Sequence, residues 1–143
     1  MHHVSIRTAN IYRAIAFYEL LGFSMEERFT ADITLACWLS GPGGRLELLQ
    51  IPEPQAPVDA FHNEHYVGYY HLSFDLTAHL EADQPLADWL DKFIPAVVAQ
   101  GIGITVLLRP ELQTIGNCTY EIAFITDADG LPIELLRQCP PSP

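Results

Sequence analysis

Two glutamates stand in the middle of apolar runs: Glu47 in GRLELLQI and Glu134 in LPIELLR. Two histidines open strand-like segments: His3 in HHVSIRT and His71 in YYHLSFDL. An unpaired carboxylate among apolar neighbours costs several kcal/mol or is forced to keep a proton. A divalent cation removes that cost and organises imidazoles and carboxylates alike. Two nitrogens and two oxygens leave coordination positions for water or substrate, and they suit Ni, Co, Zn, Mn or Fe better than calcium. Taken singly, none of these residues would make the case. A lone strand histidine is commonly structural, and a lone glutamate could pair with Arg7 or Arg45. The weight lies in four residues at matched places.

The elements that must position them show the matching. Residues 2–8 alternate as a half-polar strand, with His3, Ser5 and Arg7 on one face and Val4 and Ile6 on the other. Asn10 is an expected N-cap, Ile11, Ala14, Ile15, Tyr18 and Leu21 follow at helical spacing, and Gly22 ends the helix. Strands are expected near 23–29, 33–39 and 44–51. After a proline-rich linker over 52–66 the order repeats. A strand covers 69–76, and Leu86, Trp89, Leu90, Phe93, Ile94, Val97 and Val98 form a helical stripe that Pro95 should kink or split. Strands follow near 103–108, 119–126 and 131–137, with an Asp129-Gly130 hairpin turn before the last.

The chain is therefore an internal duplication, βαβββ twice, in one domain over 1–143 with modules 1–57 and 66–143. His3 and His71 take the same place in each first strand, and Glu47 and Glu134 the same place in each fourth. Their parity sets them on the face away from the helices. The expected architecture is α+β, with the two modules forming a curved mixed sheet around a metal cleft. Tyr120 and Glu121 stay unassigned, since one of any neighbouring pair faces the core. His62, His65 and His79 read as surface residues.

Composition narrows the function. A net charge of −11, from eighteen acids against seven bases, leaves no basic face for nucleic acid or for an anionic membrane. No apolar run approaches the roughly 20 residues of a membrane span, and no signal-peptide layout opens the chain. Three cysteines without a CxxC pair fit reduced thiols, and a cytoplasmic location is the simplest expectation.

HHVSIRTANIYRAIAFYELLGF, RLELLQIP, YYHLSFDLT and FITDADGLPIELLR together resemble the vicinal-oxygen-chelate proteins of the glyoxalase/bleomycin-resistance/dioxygenase superfamily. The likeness is to the short, lactoylglutathione-lyase-like members. It implies a divalent metal held by His3, Glu47, His71 and Glu134, the places where glyoxalase I has a His or Gln, a Glu, a His and a Glu. It further implies proton transfer on a hemithioacetal or related α-hydroxycarbonyl substrate, through an enediolate. Glu134 would be the base and Glu47 its counterpart. Arg7 matches an arginine that grips a glutathione carboxylate in glyoxalase I, whereas Ile51 stands where that enzyme has asparagine. A homodimer is implied, with sites within or between chains. The same scaffold also hosts epimerases and Fe(II) extradiol dioxygenases, and non-catalytic small-molecule binders.

Overall fold

The computed structural model describes residues 1–141. The first module runs β1 (Val4–Thr8), α1 (Ile11–Leu20), β2 (Ser24–Ala31), β3 (Thr34–Gly41) and β4 (Gly44–Gln50). The second runs β5 (Leu72–Asp75), α2 (Leu86–Ala99), β6 (Val106–Ile115), β7 (Cys118–Thr126) and β8 (Pro132–Gln138). Helix α1 begins as its sequence dictates: the Asn10 side chain accepts from the Arg13 backbone N–H at 3.1 Å, and the left-handed Gly22 (φ +97°) follows its end.

The α+β architecture of two βαβββ modules with mixed sheets forms as expected, but the expected curvature does not. The strands make two separate four-stranded sheets, ordered β1-β4-β3-β2 and β5-β8-β7-β6, and neither is strongly curled. In each, the first strand runs parallel to the fourth and the rest are antiparallel. The physical reason lies in how the modules join. They meet through apolar side chains on their helix-bearing sides, and among the described residues no strand pairing carries one sheet into the other. Phe17 of α1 packs edge-on against Phe93 of α2 at 5.9 Å, and Phe23 against Phe74 at 5.6 Å. Ile6, Leu46, Leu48, Ile133 and Leu135 lie in the same core cluster.

Polar ties cross this junction. Asp127 accepts from the buried Tyr18 hydroxyl at 2.9 Å, and Asp129 accepts from Thr8 Oγ1 at 2.5 Å and from Arg13 at 3.1 Å. Burial pushes the Asp127 carboxyl above its ordinary range, against backbone N–H donors from Leu131 and Asp129 that favour its charged form. Asp129-Gly130 makes the anticipated turn, with Gly130 at φ +92°.

Three details depart from the sequence reading. Helix α2 is not split at Pro95 but runs on through it as one helix. The carbonyl deprived of a donor there belongs to exposed Asp91, on the side where water can reach it. Strand β6 extends to Ile115, well past residue 108, because its polar half lies at a sheet edge where Pro110 and a register shift are tolerated. Strand β5 is short, starting at Leu72.

Glu121 turns inward. Its Oε2 accepts from Arg137 at 2.7 Å and from the Leu86 backbone N–H at 3.1 Å, and so it supplies the cap that Pro85 cannot. Glu121→Ala should cost about 2–4 kcal/mol, because a buried guanidinium and a helix start lose their acceptor together. Urea unfolding of the variant checks this; a change below about 0.5 kcal/mol would contradict it.

Candidate functional site

Strand alternation places the four residues singled out above. On β4, Leu46 and Leu48 face the core, so Glu47 stands on the open face of the first sheet. On β8, Ile133 and Leu135 do the same for Glu134. His3 and His71 each immediately precede the first strand of their module. His3 Nε2 lies 3.5 Å from Glu47 Oε1, and His71 Nε2 lies 3.5 Å from Glu134 Oε2. Side-chain exposures of 29% and 15% in the first pair and 22% and 17% in the second make the two pairs alike in burial.

The structure brings each histidine to its own glutamate. It does not gather the four residues in one chain: among the described residues no group of three or more His, Cys, Asp or Glu side chains is placed to hold one ion. The modules pack with their helix-bearing sides together, which turns both open faces outward from the shared core. Each face carries half of an N2O2 set.

These halves suit a cation in other respects. A 3.5 Å separation is long for a hydrogen bond between imidazole and carboxylate, and neither nitrogen is locked to its neighbour. The Nδ1 atom of His71 is buried and has no hydrogen-bond partner among the described residues. Its ring is fixed by packing, edge-on to Tyr70 at 4.3 Å and to Phe124 at 4.9 Å. For His3, Nδ1 lies 2.8 Å from His2 Nδ1, and His2 Nε2 lies 2.7 Å from Arg45 Nη1. Arginine only donates, so His2 accepts at Nε2 and donates from Nδ1. In the neutral tautomer that accepts from His2, His3 carries its proton on Nε2, facing Glu47, and a cation at that nitrogen would take its place.

Glu47 is held firmly. Its Oε2 accepts from the Trp38 indole N–H at 2.9 Å and its Oε1 from the Ser5 hydroxyl at 2.9 Å. The Trp38 hydrogen bond holds this carboxyl below its ordinary range; burial opposes it, and Ser5 and His3 assist. Arg45 does not pair with Glu47; its ion pair is with Glu26. Arg7 is exposed on the same face as His3 and forms no ion pair among the described residues. It is therefore available to an anionic ligand.

The segment joining the modules also reaches the site. Phe61 packs on Phe124 at 5.2 Å and Tyr70 stacks on it at 6.0 Å, covering an apolar patch of the second open face beside His71. Trp38 was the main residue that pattern reading missed. The Gly41–Gly44 turn offered the signal, since counting back from a 41↔44 pairing sets Trp38 opposite Glu47.

Comparison with known proteins places the fold in a family. The profile of the Glyoxalase/Bleomycin resistance protein/Dioxygenase superfamily matches residues 1–135, and the chain belongs to that superfamily. No curated protein sequence matches the chain. Among solved structures, it is similar to a glyoxalase family protein from Bacillus cereus at 20% identity, over 98% of this chain and 94% of that one, with a TM-score of 0.68. A glyoxalase family protein from Enterococcus faecalis is 23% identical over 96% of both chains, with a TM-score of 0.63. A glyoxalase I variant from Zea mays is 17% identical, with a TM-score of 0.64; the match takes in 98% of this chain and 45% of that longer one. At these identities the likeness is one of fold.

No helix among the described residues is long and apolar enough to cross a membrane.

Proposed function

We propose that this protein is a metal-dependent isomerase or lyase of the glyoxalase I type, working as a homodimer. The observation that supports it most is the repetition of one histidine–glutamate pair, 3.5 Å apart, on each outward sheet face. Two chains can join these halves: His3 and Glu47 of one would hold a divalent cation together with the partner's His71 and the partner's Glu134. Head-to-head pairing about a twofold axis would make two such sites.

The cation, when bound, would supply the Lewis acidity that makes a C–H beside a carbonyl easier to ionise. The protein side chains perform the proton transfers. In a hemithioacetal, Glu134 takes the proton from the thiol-bearing carbon and returns it to the adjacent carbonyl carbon. The hydroxyl proton moves between the two oxygens, and the product is a 2-hydroxythioester with no atom gained or lost. Glu47 stays ionised under its two hydrogen bonds, and its negative charge helps retain the cation. Arg7 offers its guanidinium to a carboxylate on the thiol carrier.

Two measurements test this. Turnover of methylglyoxal plus glutathione should appear with one or more of Ni, Co, Zn, Mn or Fe and vanish on chelation. Absence of turnover with every ion, alongside ferrous-dependent oxygen uptake with a catechol, would move the assignment to the dioxygenase branch. Arg7→Ala should raise KM about tenfold or more with little change in kcat, the loss of one charge-assisted contact. An unchanged KM would remove the carboxylate-bearing thiol.

A further inference from the structure

The two histidine–glutamate pairs match in their ligand types and differ in what stands across the ladder. Trp38 pairs in register with Glu47, and Phe124 pairs in register with Glu134. Ser5 and Ser73 occupy the matched places on the other side. In the first module both neighbours donate to the carboxylate, one to each oxygen, at 2.9 Å. In the second, phenylalanine has no donor to give. Among the described residues the Glu134 carboxylate accepts no hydrogen bond, from Ser73 or from any other donor, and His71 lies 3.5 Å from it.

The indole is itself immobilised. Phe29 packs edge-on to it at 5.3 Å, the His2 ring at 5.3 Å, and the Arg45 guanidinium lies 5.2 Å over its face. Arg45 is tied in turn to Glu26. A donor held on three sides can fix the orientation of the carboxylate it bonds.

We propose that Trp38 is a positioning residue that assigns unequal roles to the two glutamates. Its indole N–H pins Glu47 as the stationary anion of the centre, while Phe124 at the matched place leaves Glu134 free to turn. This inference rests on the metal-site reading above. It adds the reason that a symmetric ligand set can work asymmetrically: one carboxylate cannot leave its place and the other can.

The first test needs no metal. The chain has two tryptophans, so its indole region in a proton–nitrogen NMR spectrum holds two side-chain signals, assigned by Trp38→Phe. The Trp38 indole proton should lie downfield of that of Trp89 and move on Glu47→Gln. If it does neither, the pinning contact is absent and the proposal fails.

The second test is calorimetric titration with Ni and with Zn. Trp38→Phe keeps the ring and removes only the donor, and it should weaken ion binding about 10–100-fold. Phe124→Trp, which gives Glu134 a donor of its own, should lower kcat about tenfold while ion affinity holds or rises. Ion binding by the unaltered protein with no loss in Trp38→Phe overturns this inference and leaves the metal centre standing. No ion binding by the unaltered protein overturns both.

Discussion

Replacing Glu134 by glutamine should lower kcat about 10²–10⁴-fold, the span that a well-placed general base contributes. Glutamine keeps the length and one coordinating oxygen but cannot accept a proton from carbon. Much of the bound ion should therefore survive, because His3, Glu47 and the partner's His71 are untouched. Glu47→Gln should behave differently. That carboxylate is held by Trp38 and Ser5, so the substitution sets an amide N–H against one of two donors and would remove the anion proposed to retain the ion. Its main loss should be in ion affinity. The contrast is read from kcat together with metal content after dialysis. Full turnover in Glu134→Gln would remove it as the base, and equal metal loss in both variants would remove the division between them.

Mixing two inactive variants should restore activity, and this effect is qualitative. His3→Ala destroys the half-site on the first sheet, and His71→Ala that on the second. If each centre joins the first sheet of one chain to the second sheet of its partner, either variant alone has no complete centre. In a dimer of one chain of each kind, one centre carries both lesions and the other carries none. Random reassortment makes half of the dimers mixed, each with one of two centres intact. About a quarter of the wild-type activity should return. If each centre lay within a single chain, every chain in the mixture would be damaged and none would return. The outward direction of both open faces, and the lack of a four-residue cluster among the described residues of one chain, make restoration the expected result.

How far the sequence led can be judged residue by residue. Alternation in VSIRT and LELL fixed the faces of His3 and Glu47, because a period of two admits no intermediate orientation. The 3.6-residue stripe set α1, and the Asn10 cap set its start. The duplication was legible because both modules solve the same burial problem with the same pattern. Other features were not local. Whether two modules fuse into one curved sheet or meet by their helices depends on long-range packing, such as that of Phe17 with Phe93 and Tyr18 with Asp127. No window of sequence encodes those partners. Glu121 was ambiguous for a related reason: its inward position depends on Arg137 and on the start of α2, which lie 16 residues after it and 35 residues before it. The polar half of β6 lacks apolar alternation, because an edge strand in contact with solvent does not require it. Trp38 was within reach through hairpin counting, although its hydrogen bond to Glu47 required side-chain geometry.

The central claim is that two chains each contribute half of a cation site. Native mass spectrometry of the purified protein, titrated with Ni or Zn after chelation, tests it most directly. The expected species is a mass of two chains carrying two ions, with Glu134→Gln retaining them and the pair of variants His3→Ala and His71→Ala each losing both. A single chain carrying a tightly held ion, or a dimer that takes up none at any ratio, would contradict it.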